Sequence, residues 1–545
     1  MKPISKKITR IFAVLASFAG AAAVLVYTVL YAKANVNSDT MDTLMWAYAS
    51  YRSGSLFAAD FAYAGFLPFG GALLMLPFVA LFGVSYTAHI AGMVVFLLLF
   101  FAALIWFARR MDLGLFGGSL LVLAVCALFL CGSKFREMFC EHILYYSLSA
   151  LFLMVGFSLL TAFLEALQTQ CRRRAVLWGL AAFLFFTAVS SDGFQVAGIA
   201  ALPLSIAFFC ERFFDTKTKL TAQQNLPAFI AAALPLPAMA FGFLLRYAVT
   251  GGAQFGYANA SSSYDTMEEM LNWTGKLQNL VTEYFLLFDI SFIDNASLTD
   301  LTQLPALLRC LFAALLPCAL LVFAFCYRKI KDVHLKRLFW AVTAVCGITV
   351  FLWFFGTISN AGWRLIPMIF SLLLLFAASV VALLRRVSVR RFGAVLCAVT
   401  VLFFAESVFS VSDMQVVREP AGKYQGIYDA ITARDLSCGY GNFWFSNALF
   451  VMSGGEVRPH NVGISENGEL LLENYQQFPF DAAAHAQQDG CYLIVLAADV
   501  QRFEASETYR ALAGYETGTY TDSEVPWGCR VYFYSRDISA FFAEN

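Results

Sequence analysis

Acidic side chains follow the first long apolar segment of the chain, in a region that carries few other charges. Asp39 and Asp42 lie about one helical turn apart in an amphipathic segment that begins near Asn35, so both carboxylates are predicted on one side of a short helix just outside the lipid. Either carboxylate is a candidate general base that accepts a proton from an attacking hydroxyl or amine. The alternative for Asp39 is a structural role, as the N-cap of a helix that starts at Thr40.

A second group of charged side chains lies just before a later apolar segment. Glu137 and Glu141 have the four-residue spacing of one helical face, and His142 follows directly. These groups could bind a divalent cation such as Mg²⁺ or Mn²⁺, or hold the hydroxyls of a sugar. The alternative is that they only extend to the membrane interface. The chain has 5 histidines, which is too few for a convincing metal motif, so the metal stays unknown.

Two further charged residues stand at the ends of apolar segments. Asp192 precedes Gly193, and an Asp-Gly pair is typical of a turn. Arg364 follows Trp363 at the start of an apolar segment. Its guanidinium could bind a phosphate at headgroup level through two parallel hydrogen bonds, or anchor the segment at the interface beside the tryptophan. We predict that Asp192 and Arg364 bind substrate, together with Glu137, Glu141 and His142.

Composition requires a membrane protein to position these residues. The chain has 545 residues, of which 60% are hydrophobic, 16% aromatic and 14% charged, and so few polar residues cannot cover a water-facing surface. The formal net charge is zero, which gives no support to a nucleic-acid partner. Most of the 13 cysteines lie in apolar segments, where buried thiols are ordinary.

Apolar segments long enough to cross about 30 Å of hydrocarbon predict eleven membrane-spanning helices. They fall near residues 11–31, 88–108, 114–131, 143–164, 175–191, 193–210, 226–249, 305–327, 338–358, 365–384 and 392–411. The first is predicted to be an uncleaved anchor, because it is longer than the roughly 7–15 residues of a signal-peptide core. Residues 67–83 are also apolar, and we predict that they lie at the interface without crossing.

Basic residues predict the orientation of these spans. If residues 67–83 do not cross, the clusters of Lys and Arg all fall on the side of the N-terminus, which is therefore predicted to be cytoplasmic. These clusters are Lys2, Lys6, Lys7 and Arg10; Arg109 and Arg110; Arg172–Arg174; Arg212, Lys217 and Lys219; Arg328, Lys329, Lys331, Lys336 and Arg337; and Arg385, Arg386, Arg390 and Arg391. The acidic loops then lie outside the cell.

Two of the predicted outer segments have structure of their own. The loop 250–304 is predicted to hold a helix from about Asp265 to Leu287, capped by Asp265 with Glu268 three residues later. The tail, residues 413–545, has a mixed pattern that predicts a small α/β domain separate from the membrane domain, residues 1–412. Its predicted elements are helices near 424–434, 443–452 and 500–513 and strands at 491–496 and 529–534.

This arrangement resembles the GT-C superfamily of polytopic glycosyltransferases, in particular bacterial enzymes of the mannosyltransferase and aminoarabinose-transferase type that use polyprenyl-phosphate sugar donors. The likeness rests on the acidic first outer loop, the acids of the second outer loop, the Arg364-Leu-Ile-Pro367 element and the soluble tail. The resemblance implies that Asp39 stands where the family has its catalytic acid. Many members have Asp-Glu there, whereas this chain has Asp39-Thr40, with Asp42 close by.

The resemblance further implies that Glu137 or Glu141 is the acid of the second loop and that Arg364 binds the donor phosphate. The implied function is inverting transfer of a sugar from a polyprenyl-phosphate donor to a glycan, lipid or protein acceptor at the outer face of the membrane. No cofactor is certain, and a divalent cation is possible. The alternatives are a transporter or flippase for lipid-linked sugars, and a non-catalytic scaffold for assembly of a cell-surface polymer.

Overall fold

The computed structural model of the protein describes residues 3–214, 222–255, 264–293, 297, 299–485, 488–525 and 527–542. The helices of the first 250 residues are α1 (Pro3–Val26), α2 (Ser38–Ser53), α3 (Gly71–Phe82), α4 (Tyr86–Arg110), α5 (Gly114–Cys131), α6 (Ser133–Arg136), α7 (Tyr145–Gln168), α8 (Arg172–Ser191), α9 (Phe194–Phe214), α10 (Ala222–Ala233) and α11 (Pro235–Thr250). They are followed by α12 (Met267–Leu271), α13 (Trp273–Leu286), α14 (Leu304–Cys326), α15 (Val333–Phe355), α16 (Ile366–Arg385) and α17 (Arg390–Ser412).

Within the described ranges, eleven helical segments are long and apolar enough to span a membrane. This finding confirms the predicted polytopic helical membrane protein. The most buried spans are those of α16, α7 and α5, with 89%, 83% and 78% of their apolar windows buried inside the protein, so these three helices form the centre of the bundle. Helices α10 and α11 together make one span, Asn225–Thr250, and Pro235 lies where α11 begins.

The short helix α3 occupies the segment that was predicted to lie at the interface. Its 12 residues extend about 18 Å, which is shorter than the roughly 30 Å of a hydrocarbon core. With α3 not crossing, successive spans alternate in direction, and the segments after every odd-numbered span meet at one end of the bundle. Contacts confirm this grouping: Asp192 accepts a hydrogen bond from the Phe69 amide at 2.9 Å, and Asp289 accepts one from the Ser133 amide at 2.8 Å.

The loop between α11 and α14 differs from its prediction. Two helices, α12 and α13, replace the single helix expected from Asp265 to Leu287, because Asn272 adopts a non-helical conformation and caps the second helix through the Gly275 amide. The predicted cap was also wrong. Thr266 and Glu269 form the capping box, and Asp265 instead forms an ion pair with Lys276.

The tail forms a six-stranded sheet with helices packed on it, which confirms the predicted small α/β unit. Its strands are β3 (Cys438–Gly441), β4 (Arg458–Ile464), β5 (Leu470–Leu472), β6 (Cys491–Leu496), β7 (Glu516–Asp522) and β8 (Cys529–Tyr534), after the short parallel pair β1 (Ala62–Tyr63) and β2 (Gln254–Phe255) in the loops. The order is β5-β4-β3-β6-β8-β7. The central strands β4, β3 and β6 run parallel and the others antiparallel.

The helices of the tail are α18 (Gln425–Thr432), α19 (Phe443–Met452), α20 (Ala482–His485), α21 (Ala497–Glu504) and α22 (Glu507–Leu512). The helix predicted near 500–513 is thus two helices, because Ser506 caps α22. The tail packs against α2 and the segment just before it. The Ala448 amide in α19 donates to the Ser38 hydroxyl at 3.3 Å, and the Tyr424 hydroxyl donates to the carbonyl of Val36, which precedes α2, at 2.9 Å. Buried apolar residues therefore continue from the bundle into one face of the tail sheet.

Candidate active site

Helix α2 places Asp39 in its first turn. Asn37 is the N-cap and forms a capping box with Thr40, in which Asn37 Oδ1 accepts from the Thr40 amide at 3.1 Å. The alternative prediction that Asp39 caps a helix starting at Thr40 is therefore wrong. Asp39 is half-buried and lies at the positive end of the helix dipole.

The electrostatic environment of Asp39 suits a proton acceptor. Burial, together with the negative charge of Glu137, raises the pKa of Asp39 to about 6. The positive charge of Lys134 acts in the opposite direction. The backbone carbonyl of Asp39 lies 3.3 Å from Nδ1 of His142. A carboxyl group with this pKa is mostly ionised at neutral pH. Its pKa also lies close enough to neutral pH for efficient proton transfer.

Asp42 lies on the same helix in a different environment. Its side chain is buried, and Oδ2 accepts a hydrogen bond from Gln476 Nε2 at 2.6 Å. The same Gln476 accepts from Trp46 Nε1 at 2.5 Å. Burial, followed by the nearby charge of Asp39, raises the pKa of Asp42 well above its usual value. Asp42 therefore joins α2 to the tail from a position shielded from solvent.

Lys134 and Trp363 form a basic and aromatic pair that links the surroundings of Asp39 to those of Arg364. Lys134 Nζ forms an ion pair with Glu137 at 2.6 Å and lies 4.7 Å from the centre of the Trp363 ring. The neighbouring Arg364 donates from Nη1 to the Thr357 carbonyl at 2.9 Å. Asp39, Glu137 and Arg364, which are far apart in the sequence, thus meet at one end of the bundle.

Glu141 and His142 point into the protein. The Glu141 carboxylate accepts hydrogen bonds from the Tyr27 hydroxyl and from Asn35 Nδ2, the latter at 3.2 Å. Burial raises the pKa of Glu141 to about 7, although the Tyr27 and Asn35 bonds lower it. His142 is also buried, with Nε2 3.1 Å from Met138 Sδ, and burial lowers its pKa. Both side chains support the walls of the site.

Asp192 holds the first loop in place. Its Oδ1 accepts from the Phe69 amide, while Arg246 beside it donates to the Phe66 carbonyl at 2.5 Å and to the Ser191 carbonyl at 3.0 Å. Burial raises the pKa of Asp192 to about 7, against the lowering effects of the Phe69 hydrogen bond and the Arg246 charge. These contacts are those of a turn residue that fixes a neighbouring loop.

Two residues of this site were not among those predicted. The sequence could have indicated Lys134, since Lys134 and Glu137 have the spacing of an ion pair on one helical turn. Gln476 has no such signal, because it is 434 positions from its partner Asp42.

In the part of the chain that the structure describes, no group of three or more His, Cys, Asp or Glu side chains is placed to hold a metal ion, so the predicted divalent cation stays a prediction.

Comparison with known proteins gives a fold match. No family model and no curated protein match the chain. Among solved structures, ArnT from Cupriavidus metallidurans bound to undecaprenyl phosphate aligns with a TM-score of 0.52 and 14% identity, over 98% of this chain and 99% of that one. The oligosaccharyltransferase of Archaeoglobus fulgidus in its apo form aligns with a TM-score of 0.47 and 11% identity, over 98% of this chain and 75% of that one. The alignment with ArnT shows a shared fold over nearly the whole chain, and this confirms the fold that the sequence resemblance predicts.

Proposed function

We propose that this protein transfers a sugar from a polyprenyl-phosphate donor to a cell-envelope acceptor at the outer face of the membrane. The observation that carries the proposal is the meeting of Asp39, the Lys134–Glu137 pair and Arg364 at one end of an apolar helical bundle. A base beside Lys134, with Arg364 directly after the Trp363 ring that Lys134 approaches, suits a reaction that removes a proton from one group and releases a phosphate from another. The fold shared with a protein bound to undecaprenyl phosphate supports the choice of a lipid phosphate.

In this mechanism Asp39 is the general base and Arg364 binds the donor phosphate, with Lys134 as a second cation. The acceptor oxygen or nitrogen attacks the anomeric carbon while Asp39 takes its proton. The bond from that carbon to the phosphate oxygen breaks, and the lipid phosphate leaves with the electron pair. Attack opposite the leaving group inverts the anomeric centre. Placement and base catalysis together account for the rate increase, because a phosphate is already a good leaving group.

The other predicted site residues have supporting roles in this proposal. Glu137 raises the pKa of Asp39 and orients Lys134, and it is the carboxylate that would share a divalent cation with the donor phosphate. Glu141, His142 and Asp192 fix the walls through their buried contacts. Asp42 positions the tail against α2. The cytoplasmic N-terminus and the extracytoplasmic tail follow from the distribution of basic residues.

The test compares two carboxamide variants in a sugar-transfer assay with the purified protein. Asp39→Asn removes the base and should lower the transfer rate by about 10²–10⁴-fold. Asp42→Asn keeps an oxygen for the Gln476 hydrogen bond and should stay within a few-fold of wild type. Full activity in both variants would eliminate the proposed base, and uptake of a solute into proteoliposomes without consumption of any lipid-linked sugar would favour a transporter.

A further inference from the structure

A separate cleft lies between α2 and the tail, away from the Asp39 cluster. It has a volume of about 420 Å³, which is within the range of small-molecule pockets, about 300–1,000 Å³. The last turns of α2 contribute Tyr48 and Arg52 to one wall. The opposite wall comes from β4 and from the segment after β5 in the tail. The cleft therefore exists only where the two parts of the protein are packed together.

Two buried polar side chains that line this cleft each have an unpaired polar atom. His460 is 8% exposed and Asn447 1% exposed, and among the described residues neither His460 Nε2 nor Asn447 Oδ1 has a hydrogen-bond partner. Burial, followed by the charge of His485, lowers the pKa of His460 to about 4, so its ring is neutral at pH 7. Unpaired buried polar atoms cost folding free energy, and both side chains line the cleft, so a small shift of either side chain toward a ligand would pair its unpaired atom with a hydroxyl group.

Aromatic rings and charged groups complete the lining. Phe478 and Phe480 present apolar faces, and the Arg52 guanidinium lies 4.2 Å from the centre of the Phe478 ring. The charges are balanced, because Asp60 and Asp481 line the same cleft as Arg52 and Arg458. A balanced lining disfavours a ligand of high charge. Apolar faces beside amide, imidazole and carboxylate groups match a sugar ring, which has apolar C–H faces and a rim of hydroxyls.

We propose that the cleft between α2 and the tail is a saccharide-binding site. It would hold a distal sugar of the acceptor, and this assignment to the acceptor rests on the function proposed above. Helix α2 connects the two sites, since Asp39 lies in its first turn and Arg52 in its last. Thirteen residues of helix separate them by about 20 Å, so an acceptor of several sugars could reach both sites at once.

The experiment measures saccharide binding by the full-length protein in lipid nanodiscs. The fluorescently labelled protein is applied to an array of defined hexose, N-acetylhexosamine and uronic-acid oligosaccharides of two to six residues. We expect saturable binding to at least one class, and His460→Phe should weaken it at least tenfold because a phenyl ring offers no hydrogen bond. The matched control is His334→Phe, in α15 outside the cleft, which should bind like wild type.

A second variant tests whether a loss of binding comes from the changed cleft or from misfolding. Arg52 is exposed, so Arg52→Gln should leave the protein folded while it weakens binding several-fold. Absence of saturable binding to every saccharide on the array, or unchanged binding in both cleft variants, would overturn the proposal. Asp39→Asn should bind saccharide like wild type, so loss of transfer with retained binding tests the two proposals separately. A wild-type protein that binds saccharide but transfers no sugar would contradict only the proposed function.

Discussion

At the scale of single residues, Asp39 is the group whose ionisation the surroundings control. Burial is the main cause of its raised pKa, Glu137 adds to it and Lys134 opposes it. A base must be deprotonated to act, so transfer should be lost as the pH falls through about 6. The two neighbouring charges act with opposite sign, which gives each of them a distinct experimental signature.

Replacement of Lys134 and replacement of Glu137 should shift the pKa of Asp39 in opposite directions. In Lys134→Met the pKa of Asp39 should rise, and the acidic limb of the pH profile of kcat/KM should move to higher pH. In Glu137→Gln that pKa should fall, and the limb should move to lower pH. The measurement is kcat/KM across pH 4.5–8.5, which reports the ionisation of the free enzyme. Limbs that move in the same direction in both variants would contradict the assignment of Asp39 as base.

The sequence could identify the candidate acids but could not rank them. Asp39 and Asp42 look alike in the sequence, because both stand near the start of one amphipathic helix. They differ because Gln476, which is distant in the sequence, covers Asp42 and donates a hydrogen bond to its carboxylate. Glu141 and His142 are a similar case, since their burial depends on Tyr27, Asn35 and the packing of other spans. Such contacts have no local signal.

At the scale of elements, Gln476 makes a buried polar contact that joins α2 to the tail. Gln476 donates to Asp42 and accepts from Trp46. Gln476 Oε1 also accepts from the Ala64 amide at 3.3 Å, so Gln476→Ala removes three hydrogen bonds, and the buried Asp42 and Trp46 groups lose their partner. We expect the free energy of unfolding in detergent to fall by about 2–4 kcal/mol.

The control for this variant is Gln501→Ala, on the exposed surface of α21, which should change stability by no more than about 0.5 kcal/mol. Proteolysis provides a second measurement, because a loosened tail should be cleaved from the bundle faster in Gln476→Ala. Equal stability of Gln476→Ala and Gln501→Ala would show that the contact does not hold the tail on α2.

A close backbone approach positions the helix that carries Lys134. Gly132 precedes α6, and a Cβ atom at this position would lie 2.3 Å from the Leu287 carbonyl oxygen at the end of α13. Gly132→Ala must therefore push α6 away from α13 and shift the Lys134–Glu137 pair. We expect transfer to fall at least tenfold. Gly198→Ala in α9 is the control, because a Cβ atom there meets nothing within 4 Å, and it should keep wild-type transfer.

The elements themselves were largely predictable. Long apolar segments predict spans because lipid requires about 20 apolar residues per crossing, and α19, β6 and β8 in the tail also agree with their predicted ranges. The errors occurred where a single side chain decides between continuing and ending a helix. Asn272 separates α12 from α13 and Ser506 caps α22, whereas the apolar pattern continues through both positions.

At the scale of the whole molecule, the fold collects residues from three distant segments at one end of the bundle. Asp39, the Lys134–Glu137 pair and Arg364 meet there, with the tail packed beside them on α2. The described basic residues that end or follow the even-numbered spans, such as Arg110, Arg212 and Arg328, lie at the other end of the bundle. On the proposed orientation, the site faces the cell exterior.

The most direct measurement is mass spectrometry of lipids and surface glycans from three strains that carry the wild-type protein, Asp39→Asn or no protein. The account predicts that one envelope glycan or lipid carries an additional sugar only in the wild-type strain. The same sugar should accumulate on polyprenyl phosphate in the other two strains. Identical glycans and lipids in the wild-type and Asp39→Asn strains would contradict the claim that Asp39 catalyses sugar transfer from a lipid phosphate.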